Sequence, residues 1–186
     1  MIGLGTGTIA SYGRKGDYYR IYEINPQVVE IARREFTFLL DCPAKVDIVL
    51  GDARLSLEGE PIQQFDVLAV DAFSGDAIPV HLLTIEAFRL YFRHVKPDGI
   101  LAVHVSNTHL DLEPVVQKAA DTLGKKTVLV DTDDGEEGVY GATWVLVGGT
   151  DVFNNPSFQL HDDPIKVKPR FRAWTDDYSN LFQILK

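Results

Sequence analysis

The sequence holds one cysteine, Cys42, and one methionine. A single thiol closes no intrachain disulfide and builds no cysteine-rich zinc site, which favours a reducing, cytoplasmic setting. No apolar run reaches the roughly 18 residues that a membrane-spanning helix needs, and no charged-then-apolar leader opens the chain, so the domain itself is expected to make no membrane contact. Positive charge is also scarce. The chain has 18 Lys and Arg against 27 Asp and Glu, a formal net charge of −9. Such a surface repels a phosphate backbone and argues against a nucleic-acid partner. The five histidines, His81, His94, His104, His109 and His161, fall at no convincing metal-ligand spacing, so no metal is expected.

What is present is apolar content of 45% over 186 residues. That suffices for one core without cross-links, so residues 1–186 are expected to form a single domain. Apolar runs of strand length alternate with segments of helical period, which predicts βαβ units and a mostly parallel sheet. Strands are expected over residues 18–24, 46–50, 65–70, 100–105, 126–130 and 143–147. The run over 65–70 is almost wholly apolar and reads as buried on both faces. Helices are expected from residue 26 to about 40, from 82 to 96, and from 113 to 123. The first has Asn25 as N-cap and Pro26 in its first turn, and the second stops at Pro97-Asp98-Gly99. The connection over 131–138 is too polar for a packed crossover helix, so the last two strands should be antiparallel. The tail after residue 151 is expected to wrap the domain, with Trp174 and Tyr178 either sealing the core or stacking on a ring.

Gly3-Leu4-Gly5-Thr6-Gly7 lets the backbone approach a ligand closely. The loop begins after only two residues, where a complete buried strand is normal, so upstream sequence is expected to be missing. A dinucleotide fingerprint wants G-x-G-x-x-G, but position 8 is Thr, which tilts the reading from NAD toward adenosylmethionine. Glu23, at the end of the second strand, stands where a carboxylate accepts ribose hydroxyls, or is a solvated strand-end acid. Asp52 either accepts from an adenine amino group, with Ala53 leaving room for the ring, or forms a turn. Asp71 ends a buried strand at the edge where ligands bind in open α/β sheets, and as a general base it can take a proton from an attacking amine. Asp76 binds a substrate ammonium or caps its turn. Asn107 lines a pocket or forms a turn.

The order of the glycine loop, Glu23, Gly51-Asp52, and Asp71 closing FDVLAVD resembles that of spermidine synthases, the polyamine aminopropyltransferases. DAFSGDAIPVHLLT, HVSNTHLDLEPVV and WTDDYSNL resemble in particular the spermidine synthase-like domains fused to transporter membrane segments in some bacteria. The resemblance implies a Rossmann-like S-adenosylmethionine-dependent methyltransferase fold: a seven-stranded, mostly parallel sheet with an antiparallel strand near the edge and helices on both faces. It implies Gly3, Gly5, Thr6, Gly7, Glu23, Asp52, Ala53 and Asp71 around decarboxylated or intact S-adenosylmethionine, with Asp71 as the base. Asp76 and Asp177 would serve a polyamine such as putrescine, although Asp176-Asp177 also reads as a solvated acidic pair. It further implies possible fusion to membrane helices upstream, which would set the domain at the membrane's cytoplasmic face, and a homodimer. Two departures stand out. The family's second loop acid is here Ser74, and its N-terminal β-hairpin has no counterpart. A methyltransferase and a catalytically inactive nucleotide-binding regulatory domain are therefore the competing readings.

Overall fold

Asn25 and Pro26 set the first helix as the sequence predicts. The Asn25 side chain accepts from the Gln27 N–H at 2.9 Å, and Pro26 stands in the first turn, where its missing N–H costs no bond. A computed structural model describes residues 1–72, 79–132, 141–154, 158 and 164–186. The chain divides into two compact units, one of residues 1–61 with 70–72 and the other of residues 62–69 with 73–186.

The first unit contains β1 (Tyr18–Glu23), α1 (Pro26–Glu35), α2 (Phe38–Asp41), β2 (Lys45–Leu50) and α3 (Ala53–Gly59). β1 and β2 pair in parallel, from Tyr18 opposite Lys45 to Glu23 opposite Leu50. Ile2 makes single parallel bridges to Tyr22 and to Val70. Leu4, Ile21 and Ala32 centre the core, with Val28, Val29, Leu39, Val46 and Ile48 packed around them.

The helix expected to run to about residue 40 stops at Glu35. Phe36 is extended, at φ −129° and ψ 151°, and its ring stacks on Phe38 at 6.1 Å between centroids. Two aromatics around a β-branched threonine are poor helix formers, because their side chains lose rotamer freedom against the preceding turn. The break turns Leu39 onto the glycine loop and leaves Leu40 84% exposed, off the buried face. The short α3 was not legible in the sequence. Asp52 starts it by accepting from the Leu55 N–H.

The second unit carries β3 (Phe65–Val70, its last residue counted with the first unit), α4 (Ile85–His94), β4 (Val95–His104), α5 (Glu113–Thr122), β5 (Lys126–Thr132) and β6 (Ala142–Gly148). Its sheet runs β3-β4-β6-β5. β6 is antiparallel to both neighbours, as the polar connection before it predicts. The described residues thus give strands in sets of two and four rather than a sheet of seven. In place of the expected first strand stands Ile2, bridged on both sides but one residue long.

Two further expectations are corrected here. Pro97-Asp98-Gly99 lies inside β4, which starts at Val95, rather than in a turn after α4. A β-carbon on Gly99 would come within 2.9 Å of the carbonyl oxygens of both Phe65 and Asp66, so glycine permits a close backbone approach to β3. Burial of β3 on both faces also fails at its start. Leu68 and Val70 are buried, whereas Asp66 and Val67 are exposed.

Candidate functional site

The glycine loop, Glu23, Asp52 and Asp71 all belong to the first unit. Gly3, Gly5 and Gly7 have φ of 94°, 54° and 84°, the left-handed region that side chains disfavour. Their surroundings differ. A β-carbon on Gly3 would overlap the carbonyl oxygen of Asp71, and one on Gly7 would sit 3.0 Å from the Leu39 side chain. One on Gly5 would meet nothing within 4 Å. Gly3 and Gly7 therefore serve packing, and Gly5 presents open backbone to solvent. Thr6 is half-buried, and its hydroxyl pairs with that of Thr8 at 2.7 Å.

Glu23 is nearly buried, at 8% exposure. One carboxylate oxygen accepts from the Leu4 N–H at 2.9 Å and the other from the Asn25 N–H at 2.8 Å. The side chain thus ties the glycine loop to the start of α1. Sequence reasoning missed this structural task, because an acid at a strand end carries no sign of which N–H groups it will face. Each oxygen retains lone-pair capacity for a further donor.

The Glu23 carbonyl accepts from the Gly51 N–H at 2.9 Å, which brings the turn before Asp52 beside it. Asp52 is the N-cap of α3, with one carboxylate oxygen 2.9 Å from the Leu55 N–H, and Ala53 behind it is buried. The capping geometry fills the turn-forming half of the Asp52 expectation. Asp71 is half-buried, and its N–H donates to the Ile2 carbonyl at 2.9 Å. The loop, Glu23 and Asp71 are therefore linked through backbone contacts.

Ile24, 67% exposed, follows Glu23, and Leu50, 57% exposed, stands opposite Glu23 in the β1–β2 register. These apolar side chains next to the acid were not singled out in the sequence. The available signal was an isoleucine immediately after a strand-end carboxylate. Behind them β1 is anchored by Arg20, which donates to the Glu60 carboxylate and to the Tyr22 hydroxyl. The Glu60 hydrogen bond holds the Arg20 guanidinium more firmly protonated, and burial pushes the Tyr22 phenol up from its ordinary value.

Other expected residues lie elsewhere. Asp76 and Ser74 fall outside the described residues. Asp177 belongs to the second unit and is exposed in the tight turn between Thr175 and Tyr178. Trp174 is buried at 1% exposure, the core-sealing alternative. Tyr178 lies beneath the Arg172 guanidinium, 4.3 Å from its ring centroid. The Asn107 carboxamide accepts from the His109 and Leu110 N–H groups, as a turn former does. His104 pairs with the Ser106 hydroxyl at 2.8 Å and stacks on Trp144.

No family model matches the chain. A polyamine aminopropyltransferase from Vibrio vulnificus is 33% identical over 113 residues, which are 58% of this chain and 37% of that protein. The matched stretch therefore spans little more than a third of that relative's length. Among solved structures, a probable spermidine synthase from Corynebacterium glutamicum superposes with a TM-score of 0.66 at 21% identity, covering 97% of this chain and 72% of that one. The chain has the S-adenosylmethionine-dependent methyltransferase fold and is similar in sequence to a polyamine aminopropyltransferase. Human methyltransferase-like protein 13, solved in complex with SAH, matches this chain with a TM-score of 0.61 at 15% identity, over 91% of this chain and 84% of that one. At these identities the structural likenesses establish the fold alone. No helix among the described residues of the domain is long and apolar enough to cross a membrane.

Proposed function

We propose that the domain binds a decarboxylated S-adenosylmethionine on its first unit and transfers the aminopropyl group to a polyamine such as putrescine. The carrying observation is the open backbone at Gly5 set in one hydrogen-bonded frame with Glu23 and Asp71. In this reading Glu23 accepts the ribose hydroxyls with its remaining lone pairs, and Asp52, with Ala53 behind it, receives the adenine edge. The exposed Ile24 and Leu50 supply an apolar wall for the ring. Sequence likeness to a polyamine aminopropyltransferase supports the transfer chemistry.

The reaction asks little of the protein beyond alignment and one proton acceptor. The amine nitrogen attacks the methylene carbon on the sulfonium, forming a C–N bond. The C–S bond breaks, its electron pair stays on sulfur, and methylthioadenosine leaves as a neutral thioether. The nitrogen's surplus proton goes to Asp71. An alkylamine with a lysine-like pKa of about 10.4 is only about four parts in ten thousand neutral at pH 7, so freeing its lone pair costs roughly 4.6 kcal/mol. A positioned carboxylate and held geometry act on that term. For the ammonium groups of the polyamine we propose Asp76 and Asp177.

The alternative is methyl transfer from intact S-adenosylmethionine, favoured by the likeness in fold to human methyltransferase-like protein 13. Calorimetric titration with decarboxylated adenosylmethionine, intact adenosylmethionine and methylthioadenosine, followed by putrescine, separates the two. Tighter binding of the decarboxylated form together with spermidine production is expected. Preference for the intact form without spermidine overturns the aminopropyl reading in favour of a methyltransferase or an inactive sensor.

A further inference from the structure

Charge is unevenly spread along the chain. In a protein of net charge −9, residues 164–175 hold four cations, Lys166, Lys168, Arg170 and Arg172, and no acid. The four stand at every second position of a tail that belongs wholly to the second unit. All are exposed, whereas Ile165 and Val167 are half-buried and Phe171 is buried. That alternation belongs to a segment laid on a core with its apolar side chains inward and its cations outward. Lys126, exposed at the start of β5, lines the same cleft of about 410 Å³ as Ile165 and Val167 and widens the positive row. Asp121 is the acid on that cleft, and it accepts from the Gln117 amide at 2.7 Å. The next acid along the tail, Asp176, accepts the Thr84 hydroxyl proton at 2.8 Å.

The Arg170 side chain has no task within the described fold. The Phe171 N–H donates to the Lys168 carbonyl at 3.1 Å, closing a tight turn with Pro169 and Arg170 at its centre. Arg170 sits there at φ 69°, in the left-handed region that a turn normally gives to glycine or asparagine. Among the described residues its guanidinium makes no ion pair or hydrogen bond, and neither does the Lys166 ammonium. A strained backbone that holds out an unused cation points to something outside the molecule. Lys168 shows what lies beside the row. Its ammonium donates at 3.0 Å to the carbonyl of Gln183, in the short turn Leu181–Gln183. Phe182 in that turn is 86% exposed, and Leu181 and Leu185 are exposed with it. Large apolar side chains in water next to a row of cations make a two-part surface, hydrocarbon to enter a headgroup boundary and charge to hold anionic headgroups.

We propose that this face of the second unit docks on an anionic lipid bilayer, with Lys166, Lys168 and Arg170 against headgroup phosphates and Phe182 among the acyl chains. The sequence expectation of no membrane contact rested on the lack of a long apolar run, and a domain that lies on the surface needs none. Net negative charge does not forbid the contact, because exposed charges beyond a Debye length of about 8 Å are largely screened at physiological salt. A single-stranded nucleic acid would also meet the cations. It gains from stacking on aromatic rings, however, and two of the three exposed apolar side chains here are leucines. The inference is independent of the transfer chemistry.

The test sediments the full chain with vesicles of phosphatidylglycerol and phosphatidylcholine and with vesicles of phosphatidylcholine alone, and measures binding to a single-stranded oligouridine in parallel. We expect binding to the anionic vesicles only, falling at least about tenfold between about 0.05 and 0.5 M salt. Lys166→Glu combined with Arg170→Glu should lower vesicle affinity at least about tenfold, and Phe182→Ala about fivefold. Arg170→Gly separates the fold from the surface. Glycine suits the turn, so this variant should melt at or above wild type while binding anionic vesicles about fivefold more weakly, the weight of one cation near such a surface. No affinity for anionic vesicles, equal affinity for neutral ones, or binding that survives the double substitution or Phe182→Ala overturns the proposal. Oligouridine bound more tightly than lipid also overturns it and moves the face to nucleic acid. A lower melting temperature for Arg170→Gly gives Arg170 a task inside the fold and overturns it as well.

Discussion

Gly3 and Asp71 are pressed together backbone to backbone: a β-carbon on Gly3 would overlap the Asp71 carbonyl oxygen and lie 2.9 Å from its carbonyl carbon. The Asp71 N–H is held by Ile2, so neither segment can retreat without breaking the bridge between them. Gly3→Ala should therefore fail by overlap and by its φ of 94° together, at a cost of about 2–4 kcal/mol. Thermal melting checks this. A variant that melts within a degree of wild type would show that the contact is not tight.

Gly5→Ala makes the contrasting case. Nothing lies within 4 Å of its β-carbon, and a φ of 54° is the left-handed well, so the fold should lose only about 1–2 kcal/mol. The added methyl group projects into the space assigned to the ligand. Methylthioadenosine affinity should drop at least about tenfold, or 1.4 kcal/mol. Unaltered affinity in a folded variant would move the ligand away from this glycine.

Glu23 offers a separation of structural from binding roles. Its two carboxylate oxygens each receive a backbone N–H, from Leu4 and from Asn25. Glutamine has one acceptor oxygen, and either orientation of the amide sets an NH2 group against an N–H donor. Glu23→Gln should cost about 1–3 kcal/mol of stability even with no ligand present. A melting temperature equal to that of wild type would mean that the loop does not depend on this side chain.

Much of this frame was legible in the sequence, and the limits have physical causes. Asn25-Pro26, the parallel β1 and β2, and the antiparallel β5 and β6 follow from local chemistry and connection polarity. The break at Phe36 was hidden because apolar spacing continues through it, whereas the turn of Leu39 onto Gly7 depends on a partner far back in the chain. Pro97-Asp98-Gly99 reads as a stop by composition. Its role inside β4 needs the carbonyls of Phe65 and Asp66, which no local rule supplies. The acids at the strand ends were found by position. What Glu23 holds, the Leu4 N–H, was not, since that partner lies 19 residues away, and the pairing of the tail acid Asp176 with Thr84 spans 92 residues.

Arg20 and Glu60 show how the outer part of the first unit is secured. Their side chains are 19% and 16% exposed, and the Glu60 carboxylate also accepts from the Tyr22 hydroxyl. Glu60→Ala strands a mostly buried guanidinium and a phenol together. Breaking a fully buried pair costs more, so with partial exposure the loss should be about 2 kcal/mol. In urea the midpoint should fall with the slope unchanged. A shift under about 0.5 kcal/mol would class the pair with ordinary surface ion pairs.

Asp71→Asn tests the chemistry with the least disturbance of the fold. Asp71 meets Gly3 and Ile2 through its backbone, which the substitution preserves. Melting temperature and methylthioadenosine affinity should both stay near wild type, whereas an amide cannot receive the amine's proton. Aminopropyl transfer should fall by about 10²–10⁴, the usual weight of a general base. Raising the pH should restore part of the rate, because a larger fraction of the amine then arrives neutral and needs no acceptor before attack. Full activity in the variant would remove Asp71 as the base and leave alignment on the adenosyl side as the source of catalysis.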